Sequence, residues 1–131
     1  MSKKTKKLDN KDKIVKSVNK NIRSSTRKLK PILKAIVGKK VDIAIRNLSF
    51  SEKRITHDIK KTISSAVANA ENNYQYDIDS LYIKEAYVGK SIVMKRLRPR
   101  AKGRASPIKK PFARITIVLG EKKAIKKEVK K

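Results

Sequence analysis

Apolar residues recur at helical spacing through STRKLKPILKAIVGKK, where Leu29, Ile32, Leu33, Ile36 and Val37 share one face. Ser25 stands where an N-cap is needed, and Gly38 stands where the helix would stop. Pro31 leaves two starts open. A helix beginning at Thr26 has the proline inside, losing a hydrogen bond and bending; one beginning near Pro31 accepts it without cost. A shorter helix is predicted in VDIAIRNL, with Val41, Ala44, Ile45 and Leu48 on one side. The third and longest follows Ser49 or Ser51 as a cap, with Glu52 in its first turn, where the helix dipole favours an anion. Its apolar stripe is Ile55, Ile59, Ile63, Ala66, Val67 and Ala70, and Asn72 and Asn73 suit its end.

The period then changes from helical to two. In LYIKEAYV the residues Leu81, Ile83 and Tyr87 take one side and Tyr82, Lys84 and Ala86 the other. In ARITIVL, Ala113, Ile115, Ile117 and Leu119 alternate with Arg114, Thr116 and Val118. A third, short strand is placed near Ile22. Folding the chain back near Gly103 pairs the two long strand regions as an antiparallel hairpin arm over 81–119, with its tip at 97–104. Helices and antiparallel strands in separate runs make the fold α+β. Residues 1–20 form a basic N-terminal extension with too few apolar side chains to offset the entropy of ordering it. Residues 21–120 form one domain, and 121–131 a Lys-rich tail. There is no internal repeat.

Charge changes the picture most. The 131 residues carry 37 Lys or Arg against 11 Asp or Glu, a formal charge of +26. Self-repulsion on that scale calls for a polyanionic partner, nucleic acid first. No apolar run approaches the roughly 20 residues of a membrane-spanning helix, and no helix has the broad Trp, Phe and Leu face of an interfacial anchor. The start, MSKKTKKLDNKDK, lacks a secretory apolar stretch and, with Asp9 and Asp12, is unlike a transit peptide, which points to the cytoplasm.

The cations concentrate on the arm. From Ala86 to Gly120 there are ten basic residues and no acidic one. Lys95, Arg96, Arg98, Arg100, Lys102, Arg104, Lys109, Lys110 and Arg114 are therefore candidate phosphate ligands, and the guanidinium forks near the tip can each bridge two phosphate oxygens. Enzyme chemistry finds no support. The chain has no Cys and a single His, His57, roughly opposite the apolar stripe of its helix. Asp77 and Asp79, two apart in a loop, give a weak hint of cation binding and are more often an ordinary turn. Gly89-Lys90-Ser91 lacks the earlier glycine of a phosphate-binding loop, since Lys84 stands there. No cofactor, metal site or small-molecule substrate is expected.

The run RSSTRKLKPILKAIVGK, then NLSF, SSAVANAENN, LYIKEAYV, KRLRPRAKGRA and ITIVL resembles the bacterial large-subunit ribosomal protein L-twenty-two family, collinearly from Arg23 to Glu121. That resemblance implies three helices packed on a small antiparallel sheet with a long protruding basic β-hairpin. It implies a structural protein of the cytoplasmic ribosome that binds large-subunit rRNA, bridges rRNA domains in assembly, and touches neighbouring ribosomal proteins. It also implies rRNA contacts from the body at Arg23, Arg27 and Lys28. By the same resemblance the tip, Arg98, Pro99, Arg100, Ala101, Lys102, Gly103 and Arg104, reaches the wall of the polypeptide exit tunnel and the nascent polypeptide. The chain departs from the family pattern at Pro31, at Gly89 and Lys90, and at Phe112-Ala113-Arg114. An architectural DNA-binding protein with a basic β-arm is the competing reading; such proteins insert an apolar wedge, for which only Leu97 is near the tip.

Overall fold

A computed structural model describes residues 14–121. Along the chain lie β1 (Ile14–Ile22), α1 (Thr26–Ile36), α2 (Val41–Ser49), α3 (Thr56–Tyr74), a 3-10 turn (Ile78–Ser80), β2 (Leu81–Pro99) and β3 (Ala105–Glu121). The three strands form one antiparallel sheet in the order β1-β3-β2. The fold is α+β, as the patterning predicts. Residues 1–13 and 122–131, which hold most of the expected extension and tail, lie outside the described residues.

The helices bury most of the residues their spacing selects; Val37, expected on the α1 face, is instead the residue after the helix and is 41% exposed. From α1 these are Leu29, Ile32, Leu33 and Ile36; from α2, Val41, Ala44 and Leu48; from α3, Ile59, Ile63, Ala66 and Ala70, with Ile55 just before it. They cover the sheet face that β3 presents through Ala113, Ile115, Ile117 and Leu119, all fully buried. Strand alternation therefore delivers four consecutive inward positions to one core.

Helix ends depart from the expected caps. α1 starts at Thr26, so Pro31 is interior and has no N–H for the Arg27 carbonyl. Ser25 has cap-like dihedrals, yet its side chain makes no cap bond. Gly38 does end the helix, with φ +81°, but its N–H goes across to the Ile83 carbonyl at 2.8 Å. The Ile83 N–H returns to the Lys39 carbonyl at 3.0 Å, so the α1–α2 loop covers part of the outer edge of β2. α3 begins at Thr56, several residues after the predicted Ser49 or Ser51 cap. The Thr56 hydroxyl donates to the Lys53 carbonyl at 2.6 Å, closing a turn over residues that the sequence assigned to helix. The far end runs to Tyr74, past Asn72 and Asn73, where Gln75 takes the left-handed conformation and donates its N–H to the Glu71 carbonyl at 3.1 Å.

Two corrections concern the strands. β1 begins at Ile14, so the boundary drawn at residue 20 falls inside a nine-residue strand paired from Ile14–Gly120 to Ile22–Ala113. Its inward side is Val15, Ser17 and Ile22, with an irregularity between Asn19 and Ile22, so no clean alternation shows in the sequence. In β2 the register slips between Ile83 and Glu85. This bulge turns the strand over: Ala86 and Val88 pack on the core, and Tyr87, predicted to share a side with Leu81 and Ile83, is 54% exposed.

Beyond Ala113 the sheet narrows to β2 and β3 alone, and this ribbon is the arm. The ladder continues to Pro99–Ala105, so residues 97–99 belong to strand and the turn proper is 100–104. Lys102 (φ +58°) and Gly103 (φ +67°) reverse the chain, closed by Arg100 N–H donating to the Arg104 carbonyl at 2.7 Å. Pro107 and Pro111 fall where β3 has lost its β1 neighbour, a position that tolerates a missing donor. Excising 97–107 and joining Arg96 to Ile108 through Asn-Gly should leave the body folded, because none of the excised side chains is in the core cluster. Urea unfolding of that variant is expected to stay cooperative, with stability within about 1 kcal/mol of the parent; a broad, non-cooperative transition would contradict the boundary.

Candidate nucleic-acid interface

Directly opposed residues of an antiparallel ladder share a face. On the arm the pairs Met94–Lys110, Arg96–Ile108 and Arg98–Ser106 make one side, and Val93–Pro111, Lys95–Lys109, Leu97–Pro107 and Pro99–Ala105 the other. Arg96, Arg98 and Lys110 thus form one cationic face, Lys95 and Lys109 oppose one another on the second, and Arg100, Lys102 and Arg104 occupy the turn. All are exposed. Strands about 5 Å apart bring these charges well within a Debye length of about 8 Å. The Arg96 guanidinium donates to the Lys95 carbonyl at 2.8 Å, which limits its swing. Arg114 lies across Gly89, its pairing partner, where a β-carbon would stand 3.9 Å from the guanidinium.

At the base of the arm a groove of about 660 Å³ joins arm and body. Arg23 and Lys28 line it from the α1 side, Lys109 and Lys110 from β3, and Lys53 and Arg54 from the turn before α3. Pro31, Ile32, Ile55 and Pro111 give it an apolar floor. Arg54 Nη2 donates to the Arg23 carbonyl at 3.3 Å, tying the two segments. Of the twelve predicted rRNA ligands the fold gathers Arg23, Lys28, Lys109 and Lys110 here. Arg27 is exposed on α1 outside the groove, as is Arg114 on β3, and the remaining six lie on the outer arm. Lys53 and Arg54 were missed because SEKRI was read as the first turn of α3; a basic pair directly before a buried isoleucine was the available signal.

Other candidate chemistry recedes. Among the described residues no group of three or more His, Cys, Asp or Glu is placed to hold a metal ion. Asp77 accepts the Asp79 N–H at 3.3 Å, the ordinary turn expected of it. No described helix is long and apolar enough to cross a membrane. The Tyr87 hydroxyl donates to the Glu85 carboxylate, and this bond, with the carboxylate charge, raises the phenol above its ordinary range. Any stabilisation from the pair is therefore complete below the ordinary phenol range and lost as pH climbs through the raised value. In an absorbance titration, Glu85→Gln should bring phenolate formation at Tyr87 to lower pH; an unmoved titration would show that the bond is not formed in solution.

A helix-and-sheet body carrying a carboxylate-free cationic arm defines a strongly basic α+β protein. The chain belongs to the ribosomal protein L22p/L17e family, which it matches over residues 17–120. It is 74% identical over 109 residues to the large ribosomal subunit protein uL22 of Pelagibacter ubique, covering 83% of each chain. With the uL22 of Bartonella henselae it shares 55% over 111 residues, 85% of this chain and 86% of that one. With that of Beijerinckia indica it shares 52% over 114 residues, 87% and 88% of the two. The family is one of structural proteins, and the chain is not an enzyme.

Proposed function

We propose that this protein binds large-subunit rRNA through its arm and junction groove, bridges rRNA domains during assembly, and carries its tip to the wall of the polypeptide exit tunnel. As a member of its family it is a structural protein of the large subunit of the cytoplasmic ribosome. The single observation that carries the finer reading is the stretch from Ala86 to Gly120, ten cations without one carboxylate, drawn out on a ribbon away from the core. Polyanion affinity on such a surface comes chiefly from counterion release, which rewards many cations spread along one path. The body adds Arg23, Lys28, Lys53 and Arg54 at the groove, so the cations run on from the arm to the body and one chain can touch RNA along the length of both. The turn 100–104 is the part that meets a nascent polypeptide, and neighbouring ribosomal proteins lie against the remaining surface.

The test is sedimentation of a lysate in high magnesium and moderate salt. The protein should travel with large subunits, and a photocrosslinker at position 102 should label rRNA and stalled nascent chains. Migration away from large subunits, or preference of the purified chain for duplex DNA over rRNA, would sink the reading.

A further inference from the structure

We infer that the helix-side face of the arm seats the bases of unpaired RNA nucleotides, while the opposite face holds phosphates; the inference rests on the rRNA-binding reading and gives it a direction. On β3 the inward positions Ala113, Ile115, Ile117 and Leu119 lie under the helices. The same parity continues outward through Pro111, Lys109, Pro107 and Ala105, opposed by Val93, Lys95, Leu97 and Pro99. The arm thus prolongs the core face of the sheet past the last helix, and nothing in the described chain covers it.

The two faces differ in balance: Met94 and Ile108, 42% and 40% exposed, are the outer face's apolar share, and the helix-side face has more apolar side chains and fewer cations. The outer one has Arg96, Arg98 and Lys110 among Met94, Ile108 and Ser106. The helix-side one has three prolines, Leu97 at 76% exposure and Val93 at 41%, around a single Lys95–Lys109 pair. Exposed apolar side chains gathered on one face mark a contact surface, and like charges placed directly opposite repel unless an anion sits between them. A duplex offers phosphates but keeps its bases stacked inside. An unpaired strand offers both: flat base faces that pack on apolar side chains and proline rings, and phosphates at a spacing a lysine pair can reach. The face also runs into the junction groove, whose apolar floor and six surrounding cations repeat the same combination on a larger scale. A protein segment on this face would need carboxylates for the lysines, and RNA supplies its own anions.

The experiment titrates the full chain at 0.3 M salt with a twelve-nucleotide mixed-sequence RNA and with an abasic ribose-phosphate strand of equal length. The base-bearing strand should bind severalfold tighter than the abasic one, less than the gain that stacking on an aromatic side chain gives. Leu97→Ser with Pro107→Ser should erase that preference and leave the abasic affinity unchanged, whereas Arg96→Gln with Arg98→Gln should weaken both strands by a similar factor. Equal affinity of the parent for the two strands, or parallel weakening by the Leu97 and Pro107 changes, overturns the inference and leaves RNA binding standing. Absence of binding to either strand overturns both.

Discussion

Replacing Arg96, Arg98, Arg100 and Arg104 together by alanine should lower the affinity of the full chain for large-subunit rRNA by about 10³-fold at 0.15 M salt. All four are exposed and none belongs to the core, so the circular dichroism and unfolding midpoint should stay near those of the parent. The loss has a signature beyond its size. Each phosphate no longer neutralised removes about 0.7 to 0.9 from the slope of log affinity against log salt, so the four changes should flatten it by about 3. The quadruple lysine variant separates charge from shape: it should keep nearly the parental slope and lose affinity only where a guanidinium fork spans two phosphate oxygens. Titrations at four or five salt concentrations measure both quantities at once. A fall in affinity with an unchanged slope would mean that these arginines do not neutralise phosphates.

The helices, the last strand and the arm were legible in the sequence because each rests on a pattern that no tertiary choice can blur. Ile59, Ile63, Ala66 and Ala70 keep helical spacing for the whole of α3, and Ala113 to Leu119 alternate without interruption. Where legibility failed, a local rule was broken by something distant. β1 hides because Ser17 occupies an inward position while Ile14 and Val18, 45% and 41% exposed, lie outward, leaving apolar residues on both sides. Its order comes from pairing with β3, a partner nearly a hundred residues away in sequence. The bulge after Ile83 is invisible for the same reason, since alternation read through it assigns Tyr87 to the wrong side. The site divides along this line. Charge density on the arm is a property of contiguous sequence, whereas the groove exists only because the turn before α3 is brought against α1 and the base of β3. Lys53 and Arg54 acquire their role from that meeting.

Ile59→Ala should cost about 2–5 kcal/mol, a large share of the roughly 5–15 kcal/mol that holds a domain of this size. Ile59 sits at 0% exposure on the helix that packs against both β1 and β3. Ile63, one turn on, is equally buried, and Ala66 and Ala70, two and three turns on, are small and fully buried, so the backbone there is close to the sheet and has little room to collapse into the cavity. Salt then separates folding from binding. In a chain of charge +26, added salt screens self-repulsion and should raise the urea midpoint of the free variant, while the same salt weakens its hold on RNA. RNA present at about a hundred times its dissociation constant should restore about 2.7 kcal/mol, and that rescue should disappear as salt rises. Unfolding measured with and without RNA across a salt series therefore gives two curves of opposite slope. Parallel curves would mean that the arm and the core do not act as the separate units their geometry describes.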